Sequence, residues 1–427
     1  MANQIITGID IGTSKITVVT AKLNENETEP RIMGFASVPS RGVKKGQIVD
    51  INQVTMALEE AIEKAERMAG TKISQAYVSV GGPHINSLNS HGVVAISQPE
   101  VEISHADVQR AVEAAKAISI SSTREVIEVI PREYVVDGQN GIKNPLGMSG
   151  VRLEVNTHIM TAGLTNLRNI ERCLADLGIR REAYVFSGLS SALSTVSETE
   201  KELGVVLVDI GGGKTDICVY VDGALSYSSS IPMGARHITN DIAVGLRVSL
   251  DSAEKIKLYL FKTLKNKGYS DDRINRSNED IDISDLNLIE GTSSVALTTV
   301  IDGLMKPRLE ELFEHIYEEI KKSGFDKEVP SGLVITGGGS LTVGSLETAK
   351  RIVGLSARIG VPSGISGLVD EVLFPQYSTV VGLLLYGKEN IFSKESSTNK
   401  DFGHIFRSFS MKGSSKKVVD LIKSFMP

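Results

Sequence analysis

The feature that most constrains this chain is a strand–turn–strand unit with an aspartate at its mouth, written twice. In the second copy, Val208-Asp209-Ile210-Gly211-Gly212-Gly213-Lys214-Thr215-Asp216-Ile217, an apolar run from Gly204 to Val208 meets another, Ile217 to Val221, through three glycines. Consecutive glycines let backbone N–H groups converge into an anion-binding nest. Asp209 would repel a phosphate directly, but it can hold water on a Mg²⁺ that bridges phosphate oxygens. Alone, an Asp-Gly-Gly-Gly turn is equally ordinary hairpin chemistry. The first copy removes that isolation: Ile5 to Asp10, then Gly12-Thr13-Ser14-Lys15, then a returning run from Ile16 to Thr20. Two such hairpins predict two related subdomains facing one cleft. A third turn, Thr336-Gly337-Gly338-Gly339-Ser340, follows the apolar run Leu333 to Ile335 and precedes a helical stretch, a setting that suits phosphate or nucleoside contact.

Composition narrows the class. With 427 residues the chain can bury two domain cores, divided into about four subdomains. A net charge of −6 argues against general nucleic-acid binding, which needs a basic footprint. Cys173 and Cys218 stand apart in apolar contexts and read as reduced, buried thiols. The first residues enter a strand without the pattern of a secretory leader, and no run approaches the ~20 apolar residues of a membrane span. The seven histidines are scattered and predict no metal site.

Along the chain, Gln53 to Ala69 places Val54, Ala57, Leu58, Ala61, Ile62, Ala65 and Met68 on one helical face. Ala76 to Val80 reads as a strand that ends at Gly81-Gly82-Pro83. From 84 to 163 the pattern changes. Strands at Val93–Ile96, Arg124–Pro131, Glu133–Val136 and Arg152–Met160, with a helix capped by Ser104, describe an inserted α/β subdomain or a surface elaboration. Leu189 to Val196 is a small-residue helix, either a plain core element or a hinge between halves. Glu254-Lys255 opens a helix, where a carboxylate is also favoured simply by the first turn. Lys265 to Asp285 reads as a loop, Ile301 to Ile320 as a long helix, and Ser393 to Lys400 as a linker.

The last residues are amphipathic. At about 100° per residue, Val418, Val419, Leu421, Ile422, Phe425 and Met426 share one side, opposite Lys416, Lys417 and Lys423. Phe402, Ile405, Phe406 and Phe409 make a similar short face upstream. Residues 402–427 hold five Lys/Arg and one Asp, a charge of +4 against −10 for the rest. That is a membrane-surface signature; a helix docked on the body is the other reading.

Taken together, Asp10-Ile11-Gly12-Thr13, Asp209-Ile210-Gly211-Gly212-Gly213 and Gly337-Gly338-Gly339 resemble the two phosphate motifs and the adenosine motif of the actin, sugar-kinase and seventy-kilodalton chaperone ATPases. Pro39-Ser40-Arg41-Gly42, Lys45-Gly46, Gly141-Ile142-Lys143-Asn144-Pro145, Gly150-Val151-Arg152 and Tyr377-Ser378-Thr379 are similar to signature stretches of the bacterial FtsA cell-division family. The resemblance implies an α/β, actin-like (ribonuclease-H-like) two-domain ATPase fold with an inserted α/β subdomain and a C-terminal amphipathic helix.

Its implied divisions are 1–83 with 164–196 and 376–390; 84–163; 197–232 with 304–375; 233–303; a linker, 391–412; and a membrane helix, 413–427. It also implies ATP and Mg²⁺ in the cleft. Asp10 and Asp209 would hold the metal through water, with Gly12, Thr13, Ser14 and Lys15 on one side of the phosphates. Gly211, Gly212, Gly213, Lys214 and Thr215 would take the other side, and Glu254, Lys255 and Gly337 to Gly339 would lie at the nucleoside. The implied role is a self-assembling tether of the FtsZ division ring to the inner face of the cell membrane at the septum. Its partners would be the FtsZ C-terminal peptide at 233–303, further copies of itself, later division proteins and anionic lipid. ATP turnover is left open, because no general base stands out. A pilus-assembly ATPase or a sugar-kinase-like phosphotransferase would share the three motifs, but neither calls for the basic amphipathic tail.

Overall fold

Each hairpin pairs in the register that its short turn dictates. In the computed structural model, which describes residues 4–24, 29–96, 102–266, 280–367 and 370–398, Gln4–Ile11 runs antiparallel to Lys15–Leu23 with Asp10 opposite Thr17. Val205–Ile210 runs antiparallel to Thr215–Val221 with Asp209 opposite Asp216. The same bond closes both turns, Gly12 N–H to the Lys15 carbonyl at 3.0 Å and Gly211 N–H to the Lys214 carbonyl at 2.9 Å.

Each hairpin seeds a larger sheet. In the first half, Arg31–Pro39 continues the meander beyond Lys15–Leu23, while Gln75–Val80 and Arg180–Phe186 add in parallel on the other side. The second half repeats this: Ala224–Ile231 continues the meander, and Leu333–Thr336 and Ala357–Ile359 add in parallel. Numbered within each half, both sheets share the order 3-2-1-4-5, and the first gains the two-residue strand Ser366–Gly367 beside Arg31–Pro39, so the twin hairpins belong to twin domains. The actin-like α/β fold that the resemblance implies is the one observed.

Two helices tie the halves, Ser187–Thr195 and Ser378–Thr398. Ser190 Oγ donates to the Thr379 carbonyl at 2.7 Å and Ser194 Oγ to the Ser378 carbonyl at 2.8 Å. A Cβ on Gly382 would overlap the Ser190 carbonyl oxygen. Small residues are therefore required at this crossing, as a close-packed core element and a hinge would both need. The Ile51–Ala69 helix starts on Asp50, whose carboxylate accepts from Gln53 N–H, and stops at left-handed Gly70. Its six inward positions from Val54 to Ala65 are buried, whereas Met68 lies at the sheet's margin, 51% exposed, with its Sδ accepting from Phe35 N–H at 3.3 Å.

The 84–163 region is a four-stranded antiparallel sheet, in the order Asn86–Ala95, Arg152–Gly163, Arg124–Val136, Gln139–Ile142, covered by the His105–Lys116 helix. Ser104 and Asp107 form a reciprocal capping box at that helix's start. Tyr134, Leu153, Val155 and Ile159 give the subdomain its own core.

Several boundaries differ from the sequence reading. The two strands expected at Arg124–Pro131 and Glu133–Val136 are one, with a bulge that skips Arg132. The strand expected from Val93 begins at Asn86, a polar stretch that pairs throughout with Arg152–Gly163. The helix expected from Ile301 is a π-helical Thr299–Met305 followed by Lys306–Ser323, and Pro307 sits at the switch. In the expected loop after Lys265, Asp280–Asp282 pairs with Ser294–Ala296, and residues 267–279 lie outside the described residues. The second connecting helix runs on to Thr398 through residues assigned above to the linker. The amphipathic segment, with Lys416, Lys417, Val418, Val419, Leu421, Ile422, Lys423, Phe425 and Met426, lies outside the described residues.

Candidate functional site

The two turns meet tip to tip between the halves. A Cβ on Gly212 would overlap Ser14 Oγ, and one on Gly213 would lie 2.7 Å from Thr13 Cγ2. Glycine is needed there for close approach, not for a left-handed conformation, since neither residue has positive φ. Thr13 Oγ1 accepts from Gly46 N–H at 3.0 Å, which seats the Val43–Ile48 hairpin over the first turn. The carbonyls of Gly211 and Gly212 accept from Ala235 and Arg236 N–H at 2.9 and 2.8 Å, so the start of the Arg236–Leu246 helix braces the second turn.

Three buried or nearly buried carboxylates and two lysines gather behind the turns. Asp10 accepts from Ser79 Oγ at 2.6 Å. Asp209 Oδ2 accepts from Ser191 Oγ on one connecting helix and from Thr379 Oγ1, at 3.1 Å, on the other. Asp216 accepts from Ser230 Oγ at 2.6 Å, Ser187 Oγ at 2.7 Å and the Lys214 ammonium. Burial raises the Asp10 carboxyl above its ordinary range. Burial, reinforced by Asp216, lifts Asp209 to about 6. Lys214, also bonded to Ser187 at 2.7 Å, is buried, yet Asp216, Asp209 and Asp10 together keep its pKa above the usual lysine value.

Lys15 differs. Its Nζ is buried with no hydrogen-bond partner among the described residues, 3.6 Å from the Tyr377 ring centroid. Burial, only partly offset by Asp10 and Asp209, holds it down at about 7. An unsatisfied buried ammonium is costly unless an anion or water reaches it. Three carboxylates against two lysines leave a formal charge of −1, which suits a cation arriving with a polyanion. Among the described residues no group of three or more His, Cys, Asp or Glu is arranged to hold a metal ion directly. That donor set fits a hydrated divalent ion carried on phosphate oxygens, with Asp10 and Asp209 binding its water, rather than a fully protein-ligated ion.

The structure thus brings Asp10, Gly12, Thr13, Ser14, Lys15, Asp209, Gly211, Gly212, Gly213 and Lys214 together. Thr215 points away, its Oγ1 bonded to the Met233 carbonyl at 2.9 Å. In the third turn, a Cβ on Gly337 would overlap Asp209 Oδ1 and one on Gly339 would overlap Ile210, so this turn packs directly behind the second. Gly338 is exposed. Glu254 is bonded within the neighbouring helix pair, to Thr239 and at 2.6 Å to Lys257, while Lys255 is exposed. Lys257 and Asp216 were not singled out from sequence. Asp216 could have been, because a hairpin that pairs Ile210 with Thr215 necessarily sets Asp209 opposite it.

Comparison with known proteins agrees with this architecture. Residues 82–161 match the family model described as "SHS2 domain inserted in FTSA", and residues 206–382 match "Cell division protein FtsA". Curated relatives named cell division protein FtsA include that of Pseudomonas aeruginosa, 40% identical over 387 residues and covering 90% of each chain. That of Neisseria meningitidis is 38% identical over 381 residues, 89% of each. That of Escherichia coli K12 is 35% identical over 404 residues, 93% of each.

Among solved structures, the PilM-PilN type IV pilus biogenesis complex aligns with TM-score 0.62 at 15% identity, over 90% of this chain and 98% of that one. MreB5 of Spiroplasma citri bound to ADP aligns with TM-score 0.50 at 13% identity, over 93% and 98%. These two likenesses carry the fold alone. Sustained identity to the curated relatives, with both family models matched in order along the sequence, places this chain in the FtsA family of actin-like cell-division proteins.

Proposed function

We propose that the cleft between the twin turns binds ATP with Mg²⁺, and that nucleotide-dependent self-assembly lets the chain tether the FtsZ ring to the inner face of the cell membrane. The observation that carries the nucleotide reading is the buried, unpartnered Lys15 ammonium where the two turns meet. Lys15 and the amides of Thr13, Ser14, Gly212 and Gly213 would take phosphate oxygens, while Gly12 and Gly211 spend their N–H groups on closing the turns and Asp10 and Asp209 would hold the waters of the metal. Lys214 takes no such role in this reading, because Asp216 and Ser187 already hold it. Gly337 to Gly339 and the Glu254–Lys255 helix are assigned to the nucleoside side. When bound, Mg²⁺ would neutralise phosphate charge. Bound nucleotide would stabilise the closed arrangement by mass action whether or not it is turned over.

The region 233–303 is assigned to the FtsZ C-terminal peptide, the inserted subdomain to contacts with further copies and later division proteins, and residues 413–427 to anionic lipid. Six apolar side chains, from Val418 to Met426, at about 1.5–3 kcal/mol each give on the order of 10 kcal/mol at full burial. An interfacial helix buries them only in part, so one tail anchors weakly and a polymer of tails anchors firmly through effective concentration.

The test is co-sedimentation with anionic vesicles, in ATP and Mg²⁺, of the full chain and of a chain ending at Asp401. The expected result is that only the full chain pellets, increasingly steeply with protein concentration. Equal pelleting of both chains would remove the tail from the account, and failure of either to bind ATP would remove the nucleotide.

A further inference from the structure

The inserted subdomain is held by two kinds of contact. Its root is apolar and joined by the chain to the first half: Ile85, Met160 and Ala162 sit in the larger core cluster, which also takes in Val205, Leu207 and Leu225 of the second half, with Ile127 and Ile130 packed against it. Tyr386 of the second connecting helix adds a 2.6 Å bond to Glu128. Against the second half the contacts are predominantly polar. Ser87 Oγ donates to the Ser228 carbonyl at 2.6 Å, and Asn89 Nδ2 to the Ser226 carbonyl at 3.1 Å. His158 bonds Asn89 Oδ1 at 2.7 Å and Ser228 Oγ at 2.9 Å, and Arg132 Nε donates to Ser226 Oγ at 3.0 Å while its guanidinium faces the Phe325 ring. Lys143 donates to the Asp222 carbonyl. The core cluster of the second half contains no residue from 86–163 among the described residues. Water replaces bonds of this kind at little net cost, and polar interfaces between domains ordinarily permit motion. The subdomain is fixed to one half and only docked on the other.

That dock is joined to the cleft through one side chain. Ser230 lies on Ala224–Ile231, the strand that receives the subdomain. It donates to Asp216 Oδ1 at 2.6 Å and accepts from Gly82 N–H at 3.0 Å, where the chain leaves the first half to form the subdomain. Asp216 in turn holds Lys214 and Ser187, a residue of the first connecting helix. A continuous set of bonds therefore runs from the second turn to the root of the insertion. Asp216, Lys214 and Ser230 belong to one sheet and move together, so the links that lose geometry if the halves part are Gly82 to Ser230 and Ser187 to Asp216.

We propose that the inserted subdomain reports the state of the cleft: closure around nucleotide seats it on the Ala224–Ile231 strand, opening frees it, and Ser230 is the positioning residue that couples the two. The proposal rests on the reading that the cleft binds a nucleotide. Because nucleotide and docking both favour the closed arrangement, each strengthens the other by the same factor. A partner that pulls the subdomain off its strand would loosen the nucleotide.

The test is amide hydrogen exchange on the full chain, with and without ATP and Mg²⁺, beside direct titration of a fluorescent ATP analogue. In the unaltered protein, nucleotide should slow exchange in residues 86–95 and 205–221, the former by about three- to tenfold for bonds of ordinary net strength. Ser230→Ala should keep the slowing at 205–221 and lose it at 86–95, with affinity falling by no more than the same factor. Ser230→Thr, which retains the hydroxyl, should restore it. Nucleotide binding without slowing at 86–95, or slowing that survives in Ser230→Ala, would overturn the coupling alone. Loosening of 86–95 in Ser230→Ala to the same degree with and without nucleotide would reduce Ser230 to a structural role and overturn it too. Absence of nucleotide binding in the unaltered protein would instead remove the reading beneath it.

Discussion

Gly213→Ala tests the facing turns most directly. Gly213 lacks positive φ, so alanine strains nothing within its own turn. The added methyl lies 2.7 Å from Thr13 Cγ2 and 2.8 Å from Thr13 Oγ1 on the opposite turn. Ordinary contact needs about 3.5–4.0 Å, so the turns must separate by about 1 Å. Overpacking of this kind costs about 1–3 kcal/mol. Here the cost falls on the closed arrangement and not on either half alone. If nucleotide binds that arrangement, affinity drops about 5- to 150-fold while each half keeps its stability.

Titration of a fluorescent ATP analogue with Mg²⁺ would read the loss, with thermal unfolding alongside to show intact folding. Thr13→Ala supplies the second arm of a cycle. Alone it removes the acceptor of Gly46 N–H, worth about 1 kcal/mol. Combined with Gly213→Ala it also removes the two nearest obstructing atoms and leaves only Thr13 Cβ, at 3.1 Å, so the double variant should bind more tightly than Gly213→Ala. Unchanged affinity in Gly213→Ala, or a double variant that shows the plain sum of both losses, would refute the tip-to-tip geometry as the determinant of binding.

Two further outcomes are expected. Asp216→Asn strips the buried Lys214 ammonium of its counter-ion and should destabilise the protein by about 3–5 kcal/mol in urea unfolding; a loss below about 1 kcal/mol would mean that the lysine is neutralised otherwise. His158, held at about 3 by burial and, second, by Arg132, stays neutral in the fold while the unfolded chain takes up a proton below its ordinary 6.5. Its contribution is thus intact above pH 6.5 and is lost as pH falls from 6.5 toward 3, at up to about 1.4 kcal/mol per pH unit. His158→Gln should flatten that part of the stability–pH curve, and an unchanged slope would assign the acid sensitivity to other groups.

How much of this could be read from the sequence depends on range. The hairpins were legible because apolar alternation, Asp and Gly fall within about twenty residues of one another, and local pairing follows directly from turn length. The small-residue connecting helix was legible for a similar reason, since Ser and Gly announce close approach. Asn86 to Ser90 was not read as a strand because its polar residues answer hydroxyls and carbonyls more than a hundred positions away on Ala224–Ile231. Arg31–Pro39 was passed over because Met33 and Phe35, at its less buried positions, are apolar and blur the alternation, and Gly34 interrupts it where the helix backbone at Ala65 presses in. Lys257 looks like any helical lysine until the fold closes Thr239 and Glu254 around it. The unpartnered state of Lys15 is a property of the assembled cleft and has no sequence signal.

The second connecting helix has a mechanical consequence beyond joining the two halves. It continues eleven residues past Gly387 to Thr398, roughly 16 Å at 1.5 Å per residue. Its first turn past Gly387 still rests on the body, where Ile391 packs against the first core cluster, and the chain beyond Thr398 continues from the end of this helical stalk. A stalk made of helix has phase as well as length: adding or removing one residue turns its end by about 100° around the axis and shifts it by only 1.5 Å. The heading at which the remaining chain departs is thus set by residue count, like the throw of a screw, and two relatives with stalks of different length would present their bodies to a common surface at different azimuths.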